Sequence, residues 1–355
     1  MVVDYMKRKE LLLPIILGII FSLLYNRLPF GHFVLSILGA IGVVLILYDI
    51  RIGIYGAIIL MPFIPDMLNL LYMISMVGVY FYNRLFRDDN LLTKEPIDVP
   101  IIIFALLILI STITSIDPVG SFRDLAIHIT AMGFMFVLIN SIRNKEDFNL
   151  FITLLVMVAS LVALYGLYQY KVGVIMEDKW VDAANNPDIR TRIFSVFGNP
   201  NILAEYLIMI IPISISLFWY SKRIYKKFIF LGISLLLILV LVLTLSRGGW
   251  IGFAFGMFIF VILIERKLLL SVIPMILGAV YFLPQSILNR ILSIGNLGDS
   301  SNSYRIKIWN ITLDVIRDNW LMGVGFGYIP FKHTFETYIR TMPAYHSHNT
   351  YLQVM

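Results

Sequence analysis

From Phe228 to Ile264 the chain carries a single charged residue, Arg247. An apolar helix needs ~20 residues to cross the hydrocarbon of a bilayer. A backbone inside that hydrocarbon must satisfy its own hydrogen bonds, which a helix does within one segment. The stretch therefore reads as two membrane-spanning helices with Arg247 at the turn between them. The rest of the chain has the same character. Hydrophobic residues make up 59%, charged residues 14%, and the mean hydropathy is +0.86. A soluble domain is about half apolar and a quarter charged, and a soluble fold would leave the excess as large exposed patches. The absence of cysteine removes disulfides, thiolate metal sites and cysteine nucleophiles together. The fold class is all-α, a polytopic membrane protein.

Apolar runs place spans near 11–25, 33–50, 54–65, 67–82, 99–115, 122–140, 148–170, 197–220, 228–246, 250–264 and 268–284, with a twelfth starting at 346 and cut at Met355. The third run is short and broken by Pro62 and Pro65, as in a re-entrant or kinked half-span. Lys7, Arg8 and Lys9 precede the first run, but no small-residue cleavage site follows it, so it reads as an uncleaved first helix. With the N-terminus inside, more than half of the 28 Lys and Arg fall in inner loops, including the cluster at 221–227. The long segments 171–196 and 285–345 then lie outside. Residues 1–170 form an N-terminal set of helices, and 171–355 form the region expected to carry chemistry. The outer compartment holds no nucleotide sugars, so a reaction there needs a pre-activated, lipid-linked donor.

Four motifs collect at the outer face. In RIFSVFGNPN, residues 192–201, Asn199 is a good N-cap and Pro200 suits the first helical position. A helix N-terminus beside Arg192 makes an anion site, with Asn201 in support. The same residues also suit a snorkelling arginine at an ordinary helix start. In TLSRGGWIG, residues 244–252, Ser246, Gly248 and Gly249 flank Arg247 and would let a phosphate approach the backbone; here too a snorkelling arginine is the alternative. In 303–327, Ile306, Trp309, Leu313, Ile316 and Trp320 follow helical spacing, which predicts an amphipathic helix on the membrane surface. Ser301 or Ser303 would cap it, Arg305 would lie in its first turn, and Gly323, Gly325 and Gly327 would end it as a flexible turn. In HSHNTYLQ, residues 346–353, His346 and His348 stand at the mouth of the last span, where a histidine can act as general base. A metal site with His333 as third ligand is a weaker reading, since no Asp/Glu cluster accompanies it.

Arginines bind phosphate bidentately and keep their charge at any accessible pH. The chain has no D-x-D spacing of the kind many metal-dependent glycosyltransferases use. Three arginines and a histidine at one face therefore fit displacement of a lipid-linked diphosphate.

At these residues the chain resembles the bacterial O-antigen ligase/polymerase family. The matching pieces are residues 192–207, TLSRGGWIG, the R-x-x-x-W start and GVGFG end at 305–327, and HSHNTYLQ. They cover about the second half of the chain, in family order. The resemblance implies a multi-pass protein of the bacterial inner membrane, with a cytoplasmic N-terminus and an active site facing the periplasm. It implies transfer or polymerisation of an undecaprenyl-diphosphate-linked glycan, without metal or other cofactor. Arg192, Arg247 and Arg305 would hold the diphosphate and His348 would be the base, with His346 and Asn349 beside it. The acceptor would be a hydroxyl of lipid A-core, glycan or protein, with membrane lipid as surroundings and no nucleic acid. Acceptor choice would lie in 171–191 and 328–345. The resemblance also implies further glycines and further segments beyond Met355, so the chain reads as stopping inside its last motif. A flippase for the same lipid diphosphate is the alternative; it would keep working after His348→Ala, whereas a transferase would not.

Overall fold

The computed structural model describes residues 21–23, 25–86, 94–142, 144–174, 191–264, 278, 285–295, 300–342 and 344–355. Among these the regular structure is helical throughout. In chain order the helices are α1 Phe30–Tyr48, α2 Ile50–Leu60, α3 Asp66–Phe86, α4 Asp98–Ile113, α5 Pro118–Ser141, α6 Lys145–Val172, α7 Pro200–Tyr220, α8 Ile224–Leu243, α9 Arg247–Ile264, α10 Gln285–Leu292, α11 Ser300–Asp318, α12 Tyr328–Tyr338 and α13 Thr350–Val354.

Six of these, α1, α5, α6, α7, α8 and α9, are long and apolar enough to cross a membrane. The expected eleven complete spans are thus not all matched by full-length helices. The run at 54–65 gives α2, whose 11 residues rise only ~16 Å, about half of a bilayer core. Its end is fixed locally: Asn69 donates to the carbonyls of Met61 (2.9 Å) and Ile64 (3.2 Å), holding the Pro62–Pro65 turn. The run at 99–115 gives the 16-residue α4. The spans at 11–25 and 268–284 lie, but for a few residues, outside the described ones.

The core sits between α6, α7 and α8. Small and β-branched residues of α6 (Val156, Ala159, Val162, Ala163) meet Leu203, Leu207 and Ile211 of α7 and Leu237 and Val240 of α8. Small side chains let the backbones approach closely, which is how helices associate where lipid removes the hydrophobic drive. Most large apolar residues of α4, such as Ile102, Leu106 and Ile110, stay exposed, as a lipid-facing surface requires. A smaller cluster of Ile54, Met76, Tyr80 and Val137 joins α2, α3 and α5.

The outer segment is tied down through its glycines. Gly325 (φ +115°) and Gly327 (φ +102°) adopt backbone that side chains resist, and a Cβ on either would overlap Ser115 or Asp124. The chain there lies against the α4–α5 turn. Ile116 donates to the Val324 carbonyl at 3.2 Å, and the Tyr328 N–H donates to Asp124 at 2.9 Å. The GVGFG run is therefore a docking strip, not the flexible helix end expected.

Candidate active site

Hydrogen bonds between α6, the stretch before α7 and the α8–α9 turn put the end of α6, the start of α7, the end of α8 and the start of α9 at one end of the bundle. Asn199 caps α7 as expected, accepting from the Asn201 N–H at 2.8 Å, with Pro200 as the first helical residue. Upstream, Gln169 at the end of α6 clamps the preceding turn: its Oε1 accepts from the Ser195 N–H (2.7 Å) and its Nε2 donates to the Ser195 carbonyl (3.0 Å). That turn carries Arg192 inward, where it is only 5% exposed. Its Nε donates to the Thr244 carbonyl at 2.9 Å, and one terminal nitrogen donates to the Asn201 oxygen at 3.2 Å. Ser246 donates to the same Asn201 oxygen at 2.9 Å, and its Oγ also accepts from the Gly249 N–H at 3.4 Å as the cap of α9.

The two glycines after Arg247 divide their duties. A Cβ on Gly249 would lie 2.6 Å from the Ala204 Cβ, so this glycine serves the α7–α9 contact and not a phosphate. Gly248 has open space around it and can admit a ligand. Arg247 itself donates to the carbonyl (3.0 Å) and hydroxyl (3.2 Å) of Ser293.

The third arginine of this cluster is Arg290, not Arg305. It is 8% exposed at the end of α10, and its Nε donates to the Leu245 carbonyl at 3.4 Å. Burial first, then the like charges of Arg290 and Arg247, lower Arg192 to about 10, which still leaves it protonated at neutral pH. The sequence did carry a signal: Arg290 is the only charge between Lys267 and Asp299, the pattern that marked Arg247.

Arg305 belongs with the histidines. The helix is already formed at Ser300, so Ser301 and Ser303 lie inside it and Arg305 is in its second turn, not its first. The rings of His346 and His348 are 3.9 Å apart between centroids, and the His348 N–H donates to His346 Nδ1 at 3.2 Å. His346 Nδ1 is thus an acceptor, with its proton on Nε2. Partial desolvation lowers both histidines; Arg305 and, for His348, the neighbouring His346 lower them further, bringing His348 to about 4. Glu205, one turn along α7 from Asn201, opposes this at His346. The first two turns of α7 thus carry both Asn201, which meets Arg192, and Glu205, which acts on His346. Asn349 caps α13 through the N–H groups of Tyr351 (3.0 Å) and Leu352 (3.4 Å), and Gln353 reaches back to the Ser347 N–H at 2.7 Å.

Among the described residues, three that are not glycine have positive φ: Ser195 (52°), Leu245 (52°) and His348 (53°). Each sits in one of the motifs. Such backbone costs about 1 kcal/mol or more per residue and concentrates at functional sites. At Leu245 it turns the Thr244 and Leu245 carbonyls toward Arg192 and Arg290.

In α11, Ile308, Thr312 and Val315 pack inward; of the apolar stripe expected to face the membrane, Leu313 is exposed, as is Trp320 just beyond the helix. His333 lies 3.4 Å from Asp117 on the α12–α5 contact, and no three potential metal ligands come together among the described residues.

Residues 232–355 match the family model described as O-antigen ligase. This part of the chain is similar to O-antigen ligases. The matched stretch begins within α8 and takes in Thr244, Arg247, Arg290, Arg305 and both histidines, so it supplies most of the candidate site. Arg192 and Asn201 come from outside the matched residues. No curated protein and no solved structure matches the chain. Six helices long and apolar enough to cross a membrane, together with the similarity to O-antigen ligases, make this an integral membrane protein.

Proposed function

We propose that the chain transfers or polymerises a glycan carried on undecaprenyl diphosphate, acting at the outer face of the bacterial inner membrane. The reading is supported by the hydrogen bonds that hold Arg192 to Thr244 and to Asn201 in the first turn of α7, by Arg247 and Arg290 acting on Arg192, and by Arg305 acting on the His346–His348 pair. It rests on the similarity to O-antigen ligases and on the chemistry of that residue set.

In this mechanism the guanidiniums hold the diphosphate, and the open backbone at Gly248 lets it approach the α9 N-terminus. Arg305 is near enough to act on both histidines. The acceptor hydroxyl, of lipid A-core, glycan or protein, attacks the sugar C1. The C1–O bond to the diphosphate breaks, the lipid diphosphate leaves with that electron pair, and the hydroxyl proton passes to the neutral imidazole of His348. Carbon C1 is inverted. Neutralising the leaving group is the arginines' contribution, and it acts most strongly in a water-poor site.

The test is reconstitution of the full chain in proteoliposomes with an undecaprenyl-diphosphate glycan, with and without lipid A-core. Glycan is expected to appear on lipid A-core or on a second donor molecule. His348→Ala is expected to abolish turnover and keep donor binding. Full activity after Arg247→Ala, or a covalent glycosyl-enzyme, overturns the reading.

A further inference from the structure

A row of aromatic and cationic side chains leads to the histidine pair. On α5 the exposed Arg123 donates to the Tyr328 hydroxyl at 3.0 Å, and its guanidinium carbon lies 5.9 Å from the centre of the Tyr328 ring. The Tyr328 and Tyr345 rings are 6.2 Å apart between centroids and tilted by 51°. Lys332, one turn along α12 from Tyr328, holds its ammonium 4.9 Å from the centre of the Tyr345 ring. Tyr345 is joined by its peptide bond to His346, whose ring centroid is 3.9 Å from that of His348. Each member thus neighbours the next, from α5 to the base.

The fold pins the backbone under these groups and leaves their surfaces open. Tyr328 is fixed by its N–H on Asp124. Ala344 and Ser347 are buried, at 3% and 0% exposure, and anchor the loop that carries the histidines. The Ser347 hydroxyl donates to the Asn349 carbonyl at 2.7 Å, and its N–H is held by Gln353. Between these anchors Tyr345 is 52% exposed, and His346 and His348 are exposed as well. A tyrosine ring half open to water on a pinned loop is ready for a ligand, since little of the surface has to be ordered on binding.

The chemistry of the row selects its ligand. An acyl chain would cover the rings but strip water from Lys332 and Arg123 without replacing its hydrogen bonds. A bare anion would suit the two cations, yet it gains nothing from ring faces of negative potential. It would also meet the Glu336 carboxylate, 3.7 Å from the Lys332 ammonium. A pyranose offers a face of C–H bonds to a ring and a rim of hydroxyls that both donate and accept. The N–H groups of Arg123 and Lys332, the tyrosine hydroxyls and Glu336 supply both kinds of partner. Position decides which sugar it is, because the hydroxyl that gives its proton to His348 belongs to the acceptor. We propose that Tyr345, with Tyr328, Lys332 and Arg123, forms the platform for a pyranose ring of the acceptor glycan and so brings its hydroxyl to His348. The inference rests on the transferase reading and gives these residues a role in recognition, not in the chemical step.

Two measurements on the full chain test it. In proteoliposomes with an undecaprenyl-diphosphate glycan and lipid A-core, Tyr345→Ala is expected to raise the acceptor KM about tenfold and to leave donor KM and kcat at the parent values. Tyr345→Phe keeps the ring and is expected to restore the acceptor KM. An unchanged acceptor KM in Tyr345→Ala overturns the proposal, and so does a Tyr345→Phe as impaired as Tyr345→Ala. The second measurement needs no turnover: saturation-transfer NMR of core oligosaccharide, freed of lipid A, with the protein in nanodiscs. Saturation is expected on the pyranose C–H protons, strongly reduced by Tyr345→Ala and unaffected by Arg247→Ala in the donor cluster. No saturation with the parent, or equal saturation with Tyr345→Ala, overturns the platform. Absence of any glycan product from the parent counts against the transferase reading instead, and the oligosaccharide measurement then decides the platform by itself.

Discussion

Arg192 donates its Nε–H to the Thr244 carbonyl across 2.9 Å, joining the loop before α7 to the turn after α8. Fifty-two positions separate the two residues in the chain. The bond aims the guanidinium by one edge and leaves the other toward Asn201. A buried cation held this way is pre-positioned for an anion, because its orientation is fixed before the ligand arrives. The pairing also crosses the boundary of the matched stretch, so the residues before 232 help to build the site.

Asn201 is the hinge of that arrangement, since its side-chain oxygen accepts from both Arg192 and Ser246. Asn201→Ala removes both bonds and frees Arg192 to reorient. The expected result is a rise in donor KM of about tenfold, from the loss of one to two modest hydrogen bonds, with a smaller change in kcat. Steady-state transfer in proteoliposomes over a range of donor concentrations measures the split. An unchanged KM would mean that Arg192 does not meet the donor.

Neighbouring glycines should respond in opposite ways. Gly249→Ala drives a Cβ to 2.6 Å from that of Ala204 and forces α7 and α9 apart. Overpacking of this kind costs about 1–3 kcal/mol, visible as a lower thermal midpoint in detergent. Gly248→Ala meets nothing within 4 Å and sits in the first turn of a helix. Its midpoint should hold or rise slightly, while donor affinity falls as the methyl occupies the open backbone.

The glycines of the docking strip should be the least tolerant in the outer segment. Gly327→Ala combines a positive φ with overlap on Asp124, and Gly325→Ala does the same on Ser115. Gly323→Ala has the strained φ of +64° but open space around it. Hydrogen exchange at the amides of Ile116 and Tyr328, both bonded across this contact, should quicken in the first two variants and stay near the parent rate in the third.

The sequence made the helices and the motif loops legible because both rest on local rules. Hydrophobic runs place helices, and Asn199–Pro200 marks a helix start by its own capping chemistry. Partnership was less legible. Arg305 looked like a third clamp arginine because it opens an amphipathic helix, yet it acts on His346 and His348. Arg290 had the same isolation in sequence as Arg247 but sat in a segment read as surface. Isolation in the sequence does not say which arginines come together, since that follows from where distant helix ends meet. The roles of Gly249 and Gly325 were hidden for the same reason: what a missing Cβ makes room for is a residue far away in the chain.

His348 sets the pH dependence. Its ordinary value is 6.5, and desolvation, His346 and Arg305 lower it in the fold to about 4. The imidazole therefore stays neutral, and able to accept a proton, across the range in which a solvent-exposed histidine would already be charged. In kcat/KM, which reports the free enzyme, the acidic limb is expected near pH 4 rather than 6.5. The linked effect on folding has the same origin. The unfolded chain takes up the proton below its value of 6.5 while the folded one resists, so stability falls as pH drops from 6.5 toward 4 and levels off below. Arg305→Gln removes one of the charges that depress His348, so the acidic limb should move to higher pH even as donor binding weakens. His346→Gln removes the second titrating imidazole that depresses His348 and should shift the limb the same way. A donor diphosphate bound beside Arg305 adds negative charge and raises His348 in the complex, so the limb in kcat should lie above the limb in kcat/KM. Coincident limbs would place the diphosphate away from Arg305 and the histidine pair.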